Sequence, residues 1–585
     1  MTKEAVADEP VLGGVPGSVS ASIRIRSAIK RYWHWAAVAA LAILLWAPRL
    51  SGPIDLRWDA GVYYVLGTSL ATGHGYRILS EPGSPEALQY PPLLPAIVAL
   101  YQRALGSTDP AVVAPWLRIS YAVLFLFYAL AVLALARRYL RTGLAIVAVA
   151  LSLLQVNTLF ISDLLFSELP FVLISVLFVL VAVDGPFRSR PHLRETLSFV
   201  LAAAGFLLRT AGVALLAAWV IEALARRQWR LTVARGLLAL LPVVAWQAHV
   251  VRVRGSYDYA HPAYEYQRAP YQFYNVSYAE NVGPAGGSTH TGSIHARTRS
   301  LALRLTKNLC RMGQRLGEGI STSEGYWRDL LMDAQHFVFG RQVIPPRSVL
   351  VPIVALSALV IAGIGIFLHR RIWLVAFILL VSIVLICMTP WPDQFQRYLM
   401  PLTPFLAIAA MLALAEIRVA LQISGVARAT QWVGQVAVIG LLSLPLILQI
   451  YTASEIFSVR QQEGASFILG HGNVGARALF FYRDPLWRGW EQAIFWIRAH
   501  SAPDAIVATP YSHLCYLLTG RHAVSPPIES DPTRARHLLE SVPVSYVIVD
   551  RGYSLAAIDR NSPGWRLVRS FGGTRLYERS AGPNQ

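Results

Sequence analysis

The chain has 585 residues, of which 55% are hydrophobic and only 15% are charged, whereas a soluble globular domain is normally about 25% charged. This composition excludes an ordinary soluble enzyme. The net charge of +19 does not indicate nucleic-acid binding, because much of it stands in short arginine clusters between apolar runs, where it fixes membrane topology and meets anionic lipid. The three cysteines, Cys310, Cys387 and Cys515, lack the spacing of metal ligands.

The first apolar run extends from about Ala36 to Trp46 and follows several basic residues. No small-x-small cleavage site separates this run from Arg49, so we predict a retained first helix with its N-terminus inside. Five later arginine clusters are predicted to be cytoplasmic, because short cytoplasmic loops accumulate positive charge. The clusters are Arg137, Arg138 and Arg141; Arg188, Arg190 and Arg194; Arg226, Arg227 and Arg230; Arg370 and Arg371; and Arg418 with Arg428.

Threading by charge predicts a mainly α-helical, polytopic membrane protein of about eleven transmembrane helices. Residues 91–105 are predicted to form an interfacial helix. Between Arg194 and Arg226, two short helices that turn near Arg209 keep both neighbouring arginine clusters cytoplasmic, whereas one long span would break the charge rule. The remaining spans are predicted at 119–136, 142–157, 166–183, 232–251, 348–368, 372–389, 399–416 and 432–453.

The C-terminal region has the pattern of a small α/β domain. Strand-like apolar runs at 505–509 and 546–550 alternate with helix-like segments at 486–499 and 534–540. If the predicted helices at 399–416 and 432–453 both cross the membrane, the charge pattern predicts that this domain lies on the extracytoplasmic side. The predicted organisation is a cytoplasmic tail (1–35), a transmembrane domain (36–454) with a first outer loop (49–118) and a long outer loop (252–347), and a linker with the C-terminal domain (455–585).

Polar residues from five separate segments are predicted to converge on the non-cytoplasmic face, at the membrane surface. Ionisable groups at bilayer depth are costly and usually face a cavity or a partner. A carboxylate can act as general base on a hydroxyl, and arginine forks suit phosphate oxygens. A sugar linked to a lipid phosphate fits such a set, although composition alone does not single out this substrate. The residues are Asp55, Arg57 and Asp59; Tyr90; Asp163 and Glu168; Arg209; and Asp393 with Arg397.

Short motifs in this sequence resemble the GT-C glycosyltransferases. The first outer loop contains WDAGVYY at 58–64, LATGHGY at 70–76 and YPPL at 90–93. They are similar to the group that depends on dolichyl- or undecaprenyl-phosphate sugars, which includes protein O-mannosyltransferases and the aminoarabinose transferase of lipid A. Three further motifs also resemble bacterial members: RYLMP at 397–401, TPY at 509–511 and YLLTGR at 516–521.

The resemblance implies a GT-C fold in a bacterial plasma membrane and an inverting transfer from a polyprenyl-phosphate sugar on the extracytoplasmic face. The acceptor would be a lipid, a glycan or a protein. An acidic residue of the first outer loop, here Asp59, would be the base. The family's second acidic residue maps to Asp163 or Glu168, which stand about 140° apart on a helix, so we expect only one of them to serve.

The sequence also departs from the family pattern. Asp59 is followed by Ala60, where protein O-mannosyltransferases have Glu, which argues against a close protein-mannosylating relative. Tyr90 stands where aminoarabinose transferases have Lys. The donor phosphate is therefore predicted to bind Arg209, Arg397 and the Tyr90 hydroxyl, and contacts to the acceptor or sugar are predicted for Tyr63, Tyr64 and His74.

Several of these features also have a purely structural reading. Asp59 and Asp163 could be helix N-caps, and Arg209 could satisfy carbonyls at a helix turn or reach the interface. Seven tyrosines between Tyr257 and Tyr278 are interpreted as a membrane-interface belt rather than a sugar platform. No zinc-like spacing relates His249, His261 and His295, so no metal site is predicted, and a requirement for a divalent metal is left open.

Two other classes of function compete with glycosyl transfer. A transporter or flippase of a lipid-linked saccharide would place ionisable residues near the bilayer midplane and show two related halves, and the sequence shows neither. A non-catalytic anchor would only present the C-terminal domain to a partner, so substitution of Asp59 would be silent.

Overall fold

The computed structural model describes residues 17–50, 52–184, 189–282, 294–423, 440–451, 453–454, 485–549 and 562–580. Within these residues the protein is mainly α-helical, with one small β-sheet near the C-terminus, which confirms the predicted fold class. Outside the described residues lie part of the predicted tail 1–35, the start of the predicted span 432–453, much of the linker, Arg188 and Arg428.

Apolar helices build the body of the molecule and indicate a membrane protein. Among the described residues, four helices are long and apolar enough to cross a membrane, or five if the bent pair at 142–162 is one span. The other predicted spans fall on helices that are too short or not apolar enough by the same measure, so the number eleven stays a prediction. The α-helices up to residue 254 are α1 (Gly17–Trp46), α2 (Asp59–Ala71), α3 (Leu93–Leu105), α4 (Pro110–Tyr139), α5 (Thr142–Leu154), α6 (Val156–Ser162), α7 (Glu168–Asp184), α8 (Pro191–Leu208), α9 (Val213–Ala225) and α10 (Trp229–Arg254).

The chain between the second and third arginine clusters forms two helices, α8 and α9, which confirms that part of the prediction. Arg209 follows α8 directly, in extended conformation, and its carbonyl accepts a hydrogen bond from the N–H of Gly212. A Cβ atom on Gly212 would lie 2.4 Å from the backbone of Gly205, so only glycine fits this close turn. The turn thus fixes the position of Arg209.

Two helices of the first outer loop, α2 and α3, pack closely against each other. Gly67 of α2 faces Val98 of α3, and a Cβ atom on Gly67 would lie 2.6 Å from the valine side chain. The helix α3 lies where the interfacial helix was predicted, at 91–105. It begins after Pro92 and ends at Gly106, whose φ of 62° is the left-handed conformation that glycine favours at a helix C-terminus.

The long outer loop packs on protein. Tyr264 and Tyr266 are buried against strands of the C-terminal domain, so the interpretation as a membrane-interface belt is wrong for these two rings, which fill an apolar core instead. The next helices are α11 (Tyr257–Ala260), α12 (Tyr278–Val282), α13 (Ile294–Ile320), α14 (Glu324–Phe339), α15 (Leu350–His369), α16 (Trp373–Met388), α17 (Phe395–Leu399), α18 (Thr403–Ile423) and α19 (Gly440–Tyr451).

The C-terminal domain contains a five-stranded sheet of order β2-β1-β3-β5-β4, in which β1 is parallel to β2 and β3 while β5 is antiparallel to its neighbours. Both predicted strands and both predicted helices are present. The β4–β5 hairpin was not predicted; its two-residue turn contains Gly572 with φ 60°. The elements are α20 (Pro485–His500), β1 (Ile506–Ala508), α21 (Ser512–Thr519), β2 (Ala523–Val524), α22 (Pro532–Glu540), β3 (Val544–Val549), β4 (Trp565–Phe571) and β5 (Thr574–Arg579).

Candidate active site

Two loop segments pair through their backbones and bring the starts of α2 and α7 together. The N–H of Asp55 donates to the carbonyl of Asp163 at 3.1 Å, and the N–H of Leu165 donates to the carbonyl of Asp55 at 3.0 Å. Next in the chain, Trp58 has a φ of 53°, a costly conformation for a bulky residue that persists only where surrounding structure enforces it. The strained residue directly precedes Asp59, the first residue of α2.

A cluster of four charged side chains lies where these segments meet. The guanidinium of Arg397 pairs with the carboxylate of Asp59 and, at 2.8 Å, with that of Glu168. Arg209 pairs with the same Glu168 oxygen at 2.7 Å. The two carboxylates and two guanidiniums balance each other in charge, which is the condition for holding such groups away from water. We call these four residues the ion cluster.

The two acidic members of the ion cluster differ in their surroundings. Glu168 is fully buried, and its Oε2 atom has no hydrogen-bond partner among the described residues. Asp59 accepts a hydrogen bond from the Tyr274 hydroxyl at 2.9 Å. The two arginines keep 17% and 24% of their side chains accessible. The cluster therefore combines a buried carboxylate with cations that an incoming anion can reach.

Tyrosine rings form one wall beside Asp59. The Tyr90 ring lies 4.8 Å from that of Tyr63 and 6.0 Å from that of Tyr274, measured between centroids. Tyr63 also shares a hydrogen bond of 3.1 Å with Ser167, and Arg209 donates to the same Ser167 hydroxyl at 3.3 Å. Aromatic faces with hydroxyl edges can contact both the apolar and the polar parts of a sugar.

The pKa of the Asp59 carboxyl is set by opposing effects. Burial alone would raise it, but the charge of Arg397 and hydrogen bonds from Arg397, Tyr274 and Tyr90 outweigh burial and hold the pKa below its usual value. Asp59 is therefore an ionised hydrogen-bond acceptor at neutral pH, ready to orient a hydroxyl.

The C-terminal domain reaches this site through His513 of α21. The imidazole packs edge-on against Tyr274 at 4.8 Å, and its Nδ1 lies 2.6 Å from the Ser80 hydroxyl of the first outer loop. Burial lowers the pKa of His513 to about 3, although the charge of Asp59 acts in the opposite direction. The ring is therefore neutral at physiological pH, and its Nε2 has no partner within the described part of the chain.

The structure brings six of the nine predicted site residues together: Asp59, Glu168, Arg209, Arg397, Tyr90 and Tyr63. Of the two alternatives for the second acid, Glu168 belongs to the ion cluster. Asp163 instead forms a buried ion pair of 3.1 Å with Arg118 of α4. This pairing holds the Asp163 side chain outside the ion cluster. The catalytic role of either acid stays a prediction.

Two further predicted residues lie away from the ion cluster. The Tyr64 hydroxyl donates to the carbonyl of Thr108 at 3.0 Å, and its ring belongs to the core. His74 is exposed and contacts Thr72 at 2.8 Å. It lies beyond the far end of α2, about 20 Å from Asp59 for a helix of this length. Neither residue belongs to the ion cluster.

Tyr274 and His513 are site residues that the sequence did not reveal. The tyrosine-rich loop was a visible signal, but nothing in it distinguished the one hydroxyl that reaches Asp59. His513 lies between two motifs that resemble the family, TPY at 509–511 and YLLTGR at 516–521, but neither motif includes it. Among the described residues, no three His, Cys, Asp or Glu side chains form a group that could hold a metal ion, and the paired arginines suit an anion.

Comparisons with known proteins find similarity in structure. No family model matches the chain and no curated protein matches it. The oligosaccharyltransferase of Archaeoglobus fulgidus in the apo form is similar with a TM-score of 0.49 and 13% identity, over 89% of this chain and 70% of that chain. ArnT from Cupriavidus metallidurans in the apo state is similar with a TM-score of 0.49 and 12% identity, over 95% of this chain and 100% of that chain. ArnT bound to undecaprenyl phosphate is similar with a TM-score of 0.48 and 11% identity, over 94% of this chain and 99% of that chain.

Proposed function

We propose that this protein is a GT-C-type glycosyltransferase that moves a sugar from a polyprenyl phosphate to an acceptor on the extracytoplasmic face of a membrane. The ion cluster carries the proposal. In it Asp59, the acidic residue of the first-loop motif, pairs with Arg397, and Arg397 shares Glu168 with Arg209 from a distant segment of the chain. A base and an anion-binding group side by side are what the transfer of a sugar from a phosphate requires.

The proposed reaction is an in-line displacement. The acceptor hydroxyl forms a bond to the sugar C1 atom as the bond between C1 and the phosphate oxygen breaks, and the electron pair of that bond leaves with the polyprenyl phosphate. Asp59 orients the hydroxyl and accepts its proton. Arg209 and Arg397 stabilise the negative charge that increases on the departing phosphate. The configuration at C1 is inverted in a single displacement.

The pairing seen in the structure explains how donor binding would activate Asp59. Without donor, Arg397 neutralises Asp59 and lowers its pKa, which makes the carboxylate a weak base. A bound phosphate shares the Arg397 guanidinium and withdraws part of that counter-charge. Asp59 is then more basic in the donor complex than in the free protein, so the base strengthens when the donor phosphate is bound.

Substitution of Asp59 tests the proposal. In vesicles that contain the protein, a labelled undecaprenyl-phosphate sugar and a membrane extract as the source of acceptor, Asp59→Asn should lower the rate of transfer by about 10²- to 10⁴-fold, the usual contribution of a positioned base. Asp393→Asn is the matched control, because Asp393 precedes α17 but is not a member of the ion cluster, and it should transfer at the unaltered rate. Equal rates for the two variants would refute the role of Asp59.

A further inference from the structure

A cavity of about 290 Å³ lies next to the segments that contain two members of the ion cluster, Arg397 and Asp59. Two of its lining residues are chain or packing neighbours of the cluster: Gln396 directly precedes Arg397, and the Phe160 ring packs edge-on against Trp58, which precedes Asp59, at 5.8 Å. Its volume is near the lower end of the range of small-molecule sites, roughly 300 to 1,000 Å³. The lining residues are Val156, Asn157, Phe160, Thr322, Tyr326 and Gln396.

One lining residue presents a hydroxyl that lacks a protein partner. Thr322 is 2% exposed, and its Oγ1 has no hydrogen-bond partner among the described residues. Buried hydroxyls are normally hydrogen-bonded, and each exception calls for an explanation, such as a ligand that completes the bond. Thr322 is one of the residues that line the cavity, so a ligand bound there is a candidate partner for this hydroxyl.

A second lining residue is held in a defined orientation from behind. The side-chain N–H group of Gln396 donates to Glu318 at 2.8 Å. Because an ionised carboxylate only accepts hydrogen bonds, the amide of Gln396 must turn its nitrogen toward Glu318. Its Oε1 atom is left as an acceptor, without a partner in the described part of the chain. Gln396 can therefore accept a hydrogen bond from a ligand hydroxyl.

Glu318 gives the cavity no free negative charge. It is fully buried and pairs with Arg315 at 2.5 Å. The Gln314 side chain and the backbone N–H of Glu324 each donate to it at 3.2 Å. With this carboxylate neutralised, none of the six lining residues carries a charge. The cavity thus offers hydroxyl, amide, aromatic and aliphatic groups and no charged group.

We propose that this cavity binds the sugar ring of the donor and that this sugar is uncharged; the inference rests on the glycosyl transfer proposed above. Hydroxyl and amide groups match the hydroxyls of a sugar, and the Phe160 and Tyr326 rings match its apolar face. A cationic amino sugar would lose hydration here without gaining a carboxylate partner among the lining residues, which is unfavourable. The site would therefore select neutral hexoses or pentoses.

A binding experiment separates the sugar from the rest of the donor. The unaltered protein in nanodiscs is titrated with undecaprenyl phosphate, and with the same lipid linked to glucose, to mannose or to aminoarabinose. At least one neutral conjugate should bind ten times more tightly than the aminoarabinose conjugate. Thr322→Val removes the hydroxyl while keeping the shape of the side chain. It should lower the affinity for that neutral conjugate about tenfold and change the affinity for undecaprenyl phosphate less than twofold. Thr322→Ser, which keeps the hydroxyl, should bind both lipids with unaltered affinity.

Three results would overturn the inference. Thr322→Val could lower the affinity for both lipids equally, which would make the residue structural. It could also leave the affinity for the neutral sugar conjugate unchanged. Finally, the aminoarabinose conjugate could bind the unaltered protein as tightly as the neutral conjugates do. Failure of the proposed function looks different: with a membrane extract as acceptor, the unaltered protein would then release no undecaprenyl phosphate from any conjugate, whatever their relative affinities. That result would remove both proposals.

Discussion

Asp59 owes its properties to residues that approach it from three directions. Arg397 supplies the counter-charge, Tyr274 donates to one carboxylate oxygen, and the strained Trp58 fixes the backbone just before it. Since the hydrogen bond from Tyr274 helps to keep the pKa of Asp59 low, the loop that contains Tyr274 tunes a residue 215 positions away in the chain. The pKa of the proposed base thus depends on residues from segments that are distant in the chain.

Removal of the Tyr274 hydroxyl should change the pH dependence of transfer. In Tyr274→Phe the pKa of Asp59 rises, so the carboxylate is protonated at a higher pH and the acid limb of the kcat/KM profile moves to higher pH. At neutral pH, where Asp59 stays ionised in both proteins, the rate of transfer should change far less than it does in Asp59→Asn. Tyr257→Phe, at a residue of the same loop that is 74% exposed, is the control. An unmoved acid limb in Tyr274→Phe would show that this hydrogen bond does not act on Asp59.

His513 should make the stability of the protein depend on pH. Its pKa is about 6.5 when the chain is unfolded and about 3 in the folded protein, so between these values the unfolded chain binds one more proton. Stability is therefore complete above pH 6.5 and falls by about 1.4 kcal/mol for each pH unit as the pH drops toward 3.

Thermal unfolding in nanodiscs at pH 7 and pH 5 measures this effect. The loss of Tm at pH 5 should be smaller in His513→Gln than in the unaltered protein. His74→Gln serves as the control because His74 is exposed, and it should lose as much Tm as the unaltered protein. If all three proteins lost the same amount, His513 would not be the titrating group.

Much of the site follows from sequence at the residue level, and the limits have physical causes. The motif indicated Asp59, and charge threading indicated Glu168, Arg209 and Arg397. The choice between Asp163 and Glu168 depended on Arg118, whose partner no local pattern reveals. Tyr274 and His513 were missed because the contacts that place them join segments remote in sequence, and local periodicity does not encode such contacts.

At the scale of elements, the site depends on breaks between helices. Arg209 stands in the turn between α8 and α9, and Arg397 in the short α17 before α18. The arginine clusters predicted the first break because one long span would have broken the charge rule. The hairpin of β4 and β5 was not predicted because β4 shows no clear alternation of buried and exposed residues, although its two-glycine turn is typical of a hairpin.

Gly212 is the residue on which the α8–α9 turn depends. In Gly212→Ala the new Cβ atom meets the backbone of Gly205 at 2.4 Å, so the turn must open and displace Arg209. We expect a lower Tm and a reduced rate of sugar transfer. Gly236→Ala in α10, where a Cβ atom has open space, should leave the rate unchanged and raise the stability slightly, because alanine favours the helix by about 1 kcal/mol. Similar behaviour of the two variants would contradict the account of this turn.

At the scale of the whole molecule, the outer loops and the C-terminal domain close around one site. Gln272 of the long outer loop donates to the carbonyl of Ser525, and Ala523 donates to the carbonyl of Ser80. Apolar side chains remain exposed at the end of α14, where Phe337 is 91% exposed. Because the apolar helix α15 begins at Leu350, we expect the end of α14 to lie in the lipid, where such side chains lose their contact with water.

Fluorescence quenching measures the insertion of α14. In vesicles of brominated phospholipid, a protein with Phe337→Trp should lose more fluorescence, relative to ordinary phospholipid, than the unaltered protein does. Tyr257→Trp is the control, because this residue is exposed in the part of the long outer loop that packs on protein, and its added fluorescence should be quenched little. Equal quenching of the two added tryptophans would place the end of α14 in water.

The central claim is that the ion cluster breaks the bond between a sugar and a polyprenyl phosphate. Phosphorus NMR observes this bond directly, because the donor is a phosphodiester and the product a phosphomonoester. With undecaprenyl-phosphate glucose or mannose and a membrane extract as acceptor, the unaltered protein should generate undecaprenyl phosphate, and Asp59→Asn and Arg397→Ala should not. Phosphodiester that crosses the membrane unconverted would contradict the claim and identify a transporter instead.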